Sequence, residues 1–176
     1  LHLSLRRQRQ MCIRDRFLCI GIYFGFSMGL STPLGYAYGD RNFSVCRVLE
    51  KYAYRFFAIA PIILYGCTYL LAPIGVYFFA SPGSTVFDMA ISGLRLYGLG
   101  FLFSGINIFA AIRMMTYGKG YISGMITFLR SFALLLLFLT VLPRFLELNG
   151  IWLAVPAAEI LTLIVALWTL RKKTVA

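Results

Sequence analysis

The sequence predicts an all-α integral membrane protein with five transmembrane helices, and three observations carry that prediction. Charged residues make up 13% of the chain and apolar residues 60%, whereas a soluble domain carries about 25% charged residues. The mean hydropathy is +0.81. The apolar residues also fall in long runs, and about 20 such residues at 1.5 Å rise each cross a hydrocarbon core of roughly 30 Å.

In order, the expected spans are residues 17–38, 56–80, 91–115, 121–142 and 151–170. The first is uncharged. The second is closed by the turn Ser81-Pro82-Gly83-Ser84, and the third carries Arg95 and Arg113 near its ends. The fourth contains Arg130 and the fifth Glu159. Trp152 and Trp168 mark the two ends of the last span, as an aromatic belt does.

Lysine and arginine in short loops assign the sides of the membrane. The first loop holds Arg41, Arg47, Lys51 and Arg55, the third holds Lys119, and the chain ends on Arg171-Lys172-Lys173. The second loop has no basic residue and the fourth only Arg144. The first and third loops, the C-terminus and residues 174–176 are therefore expected on the cytoplasmic side, and residue 17 on the outside. Within the first loop, Phe43, Cys46, Val48, Leu49 and Tyr52 are spaced for a short helix lying in the interface.

Residues 1–16 stand apart. They are polar and rich in arginine, then give way abruptly to apolar sequence at Phe17, with no signal-peptide cleavage site following. The run Met11-Cys12-Ile13-Arg14-Asp15-Arg16 resembles translated sequencing adapter, and an arginine-rich leader conflicts with an outside start. Residues 1–16 are accordingly read as a non-native leader. They hold five bases and one acid, a net +4, so the charge of the remainder falls from +11 to +7.

The basic excess suits topology signals and anionic headgroups. With no basic stripe on a water-facing element, no nucleic-acid partner is expected. Cys12, Cys19, Cys46 and Cys67 form no CxxC pair, and the one histidine is His2, so neither a metal nor another cofactor is expected. The thiols read as buried and inert. No histidine lies in a span, and there is neither a carboxylate pair nor a nucleophile elbow, so the chain is not read as an enzyme.

Three sets of residues stand out. Gly21, Gly25 and Gly29 recur every fourth position and predict a face for close helix packing. Pro33, Gly35, Tyr36 and Gly39 fall at the end of the first span, either as a helix ending or as a bending element. Pro61 and Pro73 similarly interrupt the second. Asn107, Arg130 and Glu159 each lie roughly 12–17 Å from the cytoplasmic boundary at 1.5 Å per residue, so three helices place polar groups in one layer. An ionisable group there costs at least about 2.5–3.5 kcal/mol if it faces lipid. Arg130 and Glu159 are thus expected to face protein or water and to pair, as a structural lock or as part of a substrate or ion pathway. Arg95 and Arg113 are expected to snorkel to the interface.

With spans and motifs in place, the chain resembles the C-terminal lobe of multidrug and toxin extrusion (MATE) transporters, in a MepA/DinF-like branch. The segment Pro33-Leu34-Gly35-Tyr36-Ala37-Tyr38-Gly39-Asp40 is similar to the family's Gln-Pro-x-x-Gly-Tyr-Asn-Tyr-Gly-Ala. Arg95 and Arg130 fall where the family carries arginines, and Leu148-Asn149-Gly150-Ile151-Trp152-Leu153-Ala154, with Pro156 and Glu159, completes the likeness. It runs from about residue 17 to residue 173. Thr32 stands in place of the family's Gln, Ala37 of its Asn and Asp40 of its Ala, so that turn's contacts are not carried over. The acid that a NorM-like branch carries in its tenth helix has no counterpart in residues 92–116.

The resemblance implies helices eight to twelve of a twelve-helix transporter in a bacterial plasma (inner) membrane. It implies export of small cationic or amphipathic compounds coupled to inward H⁺ or Na⁺. The partners are then those substrates, membrane lipid and the missing N-terminal lobe of the same chain. Two other readings stay open: a lipid-linked oligosaccharide flippase of the same wider fold, and a small membrane scaffold or partner subunit.

Overall fold

Lipid offers the backbone no hydrogen-bond partner, so apolar runs of this length must satisfy their own N–H and C=O groups as helices. The computed structural model describes residues 2–77 and 83–171, with side chains described for 18–77, 83–147 and 149–168. The readings of residues 1–16 as a leader and 174–176 as a tail lie outside the residues so described. The described residues are helical almost throughout: α1 (His2–Gly39), α2 (Phe43–Tyr77), α3 (Thr85–Thr116), α4 (Gly120–Phe128), a π-helical turn (Leu129–Ala133), α5 (Leu134–Val141) and α6 (Pro143–Arg171). Five stretches are long and apolar enough to cross a membrane: Leu18–Gly39, Phe43–Tyr77, Thr85–Thr116, Gly120–Glu147 and Asn149–Trp168.

The second span differs from expectation. The basic segment after residue 40 is no separate interfacial helix but the first turns of α2, which runs unbroken for 35 residues, about 52 Å at 1.5 Å per residue. Asn42 makes this possible: its N–H bonds the Ala37 carbonyl at 2.9 Å, while its Oδ1 accepts the Val45 N–H at 3.3 Å and caps the new helix. Arg41, at φ 56°, turns the chain between the two helices. Pro33 breaks nothing, since α1 continues past it to Gly39, and α2 likewise passes through Pro61 and Pro73.

Helix α3 is the hub. Of its most apolar window 72% is buried, far more than in any other span, and α1, α2, α4 and α6 all pack on it. It begins cleanly because Ser84 Oγ accepts the Phe87 N–H at 3.2 Å and Asp88 lies in the first turn. It ends at a reverse turn, where Gly118 adopts φ 73° and the Lys119 N–H bonds back to the Met114 carbonyl at 2.8 Å.

Among the described residues, glycine provides close packing on α3 rather than on α1. A Cβ added at Gly21, Gly25 or Gly29 would meet nothing within 4 Å. The face α1 presents to the bundle is instead Cys19, Tyr23, Ser27 and Leu34. The close-approach glycines belong to α3: a Cβ at Gly93 would come within 2.5 Å of the Trp152 ring, and one at Gly105 within 2.7 Å of Phe57. Trp152 is therefore half-buried, packed against α3. Around Gly105, Tyr23, Phe57 and Phe109 form the main aromatic core, pinned by a bond from the Tyr23 hydroxyl to the Phe101 carbonyl at 3.1 Å.

The last two spans form a tight hairpin. Glu147 leaves the helical region at φ 48° and ψ −125° and kinks α6. Beyond it Gly150 packs so closely on Leu142 that a Cβ would lie 2.5 Å from that residue's carbonyl.

Candidate functional site

The three mid-span polar residues meet. Asn107 comes from α3, Arg130 from the π turn and Glu159 from α6, and α6 packs on both α3 and the π turn. A π turn widens the helix locally and is often found at functional sites; here it carries Arg130 as its second residue. Arg130 Nη1 lies 3.8 Å from Glu159 Oε1, with side chains 14% and 3% exposed. That separation neutralises charge but is too long for a hydrogen bond.

Asn107 ties the group together. Its Nδ2 donates to Glu159 Oε2 at 2.7 Å and to the Glu159 carbonyl at 2.9 Å. The carboxylate thus has a charge-assisted hydrogen bond from α3 and an ion pair from the π turn. Asn107 Oδ1 and Arg130 Nη1 are both buried without a hydrogen-bond partner.

Asn107 and Arg130 also border a cavity of about 240 Å³ between α1, α3 and α4. Phe24, Met28, Met115 and Ile126 give it apolar walls, and Ser123 and Thr127 add hydroxyls. A second cavity, of about 500 Å³, opens between α1 and α2 against Leu18, Ile22, Leu64, Leu71 and Leu94, and among the described residues no charged side chain borders it. Cys67, expected to be buried, is exposed and borders this cavity together with buried Cys19.

The other sequence candidates stay apart from this group. Pro33, Tyr36 and Gly39 are exposed at the end of α1, and Gly35 touches Thr116. Gly21, Gly25 and Gly29 border neither cavity.

A polar cluster absent from the sequence reading lies at the basic end of the bundle. Arg113 does not snorkel. It is 4% exposed and its Nε donates to Glu50 Oε1 at 2.5 Å. The Tyr117 hydroxyl donates to the same oxygen. Burial, and then the neighbouring Glu50 carboxylate, push that hydroxyl well above its ordinary range, so it stays protonated and donates. Arg95 is half-buried, with its guanidinium 4.1 Å over the Tyr69 ring. The available signal was Glu50, a lone acid in a basic stretch.

No family model matches the sequence, and no curated protein does. Solved structures do match in fold. One is an outward-facing multidrug resistance MATE family transporter of the MOP superfamily, 22% identical, covering 92% of this chain and 37% of its own, with a TM-score of 0.82. An inward-facing conformation of such a transporter, also 22% identical, covers 90% and 37% at 0.80. The Vibrio cholerae MATE transporter VcmN in its bent form, 20% identical, covers 97% and 39% at 0.85. The five spans thus have the fold of part of a MATE transporter, in a multi-pass membrane protein, and the chain spans less than two fifths of the length of the structures it matches.

Proposed function

We propose that the chain is the C-terminal lobe, helices eight to twelve, of a multidrug-efflux transporter of MATE type in its MepA/DinF-like branch. Its substrates are small cationic or amphipathic compounds, exported across a bacterial plasma membrane against inward H⁺ or Na⁺. The basic end of the bundle and the C-terminus face the cytoplasm, following the positive-inside rule. Asn107, Arg130 and Glu159 lie on the pathway.

The observation that carries this reading is the buried polar group at mid-span, two of whose members border a cavity. Ionisable residues at such depth are expensive and belong by default to pathways. The fold likeness adds support: the helices match an outward-facing and an inward-facing transporter almost equally well. A lobe that keeps its shape in both states can rock as a rigid body against a second lobe, as alternating access requires.

The test is transport by the full-length protein in proteoliposomes. An imposed proton or sodium gradient should drive ethidium movement in the exchange direction, and collapsing the gradient with an ionophore should abolish it. Gradient-independent behaviour equal to that of empty liposomes would remove the antiport reading.

A further inference from the structure

Two residues that border the 240 Å³ cavity carry unmet demands of opposite kind. The Glu159 carbonyl and its Oε2 are both acceptors, so the Asn107 group facing them must be the amide NH₂. That leaves Asn107 Oδ1 as an acceptor with no donor, in a residue 0% exposed. Arg130 has the reverse problem: its charge is balanced at 3.8 Å, but Nη1 bonds nothing. Glu159 does not need Arg130 for hydrogen bonding, because Asn107 already serves it. The guanidinium is therefore free to take another acceptor without breaking a hydrogen bond.

We propose that this cavity receives the oxyanion end of an amphipathic substrate, a carboxylate on an apolar body. This rests on the cavity being part of the transport pathway. The carboxylate accepts from the planar guanidinium fork of Arg130, which matches its geometry. The apolar body lies on Phe24, Met28, Met115 and Ile126. A cationic group is taken by another part of the pathway, because Arg130 borders this cavity while Glu159 is only 3% exposed behind Asn107. A phospholipid headgroup is no natural occupant either, since it would have to descend roughly 12–17 Å from the interface. A proton on Glu159 would free Arg130 further and strengthen such a ligand. An antiported proton is therefore carried elsewhere, and Glu159 acts here as a positioning residue.

Binding to the full-length protein in nanodiscs tests this with tritiated 1-naphthoate, its neutral isostere 1-naphthamide, and 1-naphthylmethylamine as the cation. Naphthoate should bind about tenfold or more tighter than naphthamide, the scale of a charge-assisted hydrogen bond. Arg130→Gln should bring the two together, Arg130→Lys should keep part of the preference, and Glu159→Gln should tighten naphthoate. Where Arg130→Gln does not fold, the double variant with Glu159→Gln, which buries no charge at this site, reads the same difference. Equal affinities in the wild type, tighter binding of the amine, or a preference that survives the loss of Arg130 would each overturn the proposal. Ethidium transport by the same preparation separates the two claims: transport without carboxylate preference sinks this inference alone, and absent transport sinks the pathway on which it rests.

Discussion

Glu50 of α2 and Arg113 of α3, 63 residues apart in sequence, form a buried ion pair at the basic end of the bundle, with side chains 13% and 5% exposed. Tyr117 adds its hydroxyl to the same carboxylate oxygen, and its ring packs tilted against Tyr38 of α1, with centroids 4.5 Å apart. Three helices are thus fastened at one point. Removing one partner of a buried pair typically costs about 3–5 kcal/mol, because the other charge is left uncompensated. Glu50→Gln and Arg113→Gln should each lower the melting temperature of the detergent-solubilised protein, with the double variant recovering a large part. Tyr117→Phe, which removes only one hydrogen bond, should cost about 1 kcal/mol.

The glycines of α1 and α3 should respond oppositely to substitution. A methyl group at Gly93 enters the Trp152 ring, and overpacking of that kind costs about 1–3 kcal/mol. A methyl group at Gly25 meets open space, so Gly25→Ala should leave stability unchanged or raise it by up to about 1 kcal/mol through helix propensity. Thermal unfolding of the two variants checks this; equal losses at both positions would mean that the glycine face of α1 packs closely after all.

Sidedness has a direct readout. Cysteines introduced at Gly83–Thr85 should react with an impermeant maleimide in intact cells, while one at Lys119 should react only after permeabilisation. The reverse pattern would invert the assigned topology.

The spans were legible in the sequence because lipid imposes a single rule, one long apolar run per crossing, and all five runs emerge as helices. The junctions were less so. A charged stretch after residue 40 reads as a separate surface helix, but helix α2 can project well beyond the bilayer core, and Asn42 caps it at its true start. Spacing of glycines on one helix states which residues share a face; it does not state whether a neighbour approaches that face. The open Gly21–Gly25–Gly29 face and the crowded Gly93 and Gly105 differ only in tertiary context. Depth counting brought Asn107, Arg130 and Glu159 to one layer, since rise per residue is nearly constant. It gave no bond between Asn107 and Glu159, nor the π turn beneath Arg130, because azimuth depends on packing. Arg113 was misjudged for the same reason: distance from a helix end permits snorkelling, but a carboxylate on the next helix is the better partner.

Arg130 and Glu159 supply the most demanding prediction. At 3.8 Å, with side chains 14% and 3% exposed, each compensates a charge that would otherwise be isolated at mid-membrane. Breaking the pair by one change should again cost about 3–5 kcal/mol, whereas removing both charges can be nearly neutral. The two single variants should not be equivalent, however. Glu159→Gln still accepts the Asn107 amide through its side-chain oxygen and leaves Arg130 facing a cavity where water can solvate it. Arg130→Gln strands a carboxylate that is only 3% exposed, with a single neutral donor. The loss of folded protein in detergent should therefore be larger for Arg130→Gln than for Glu159→Gln, with the double variant recovering much of both. Fluorescence-detected size-exclusion chromatography of the full-length protein reads all three. Strictly additive losses would show that the two side chains are energetically independent, and a larger loss for Glu159→Gln would show that the cavity does not hydrate the arginine.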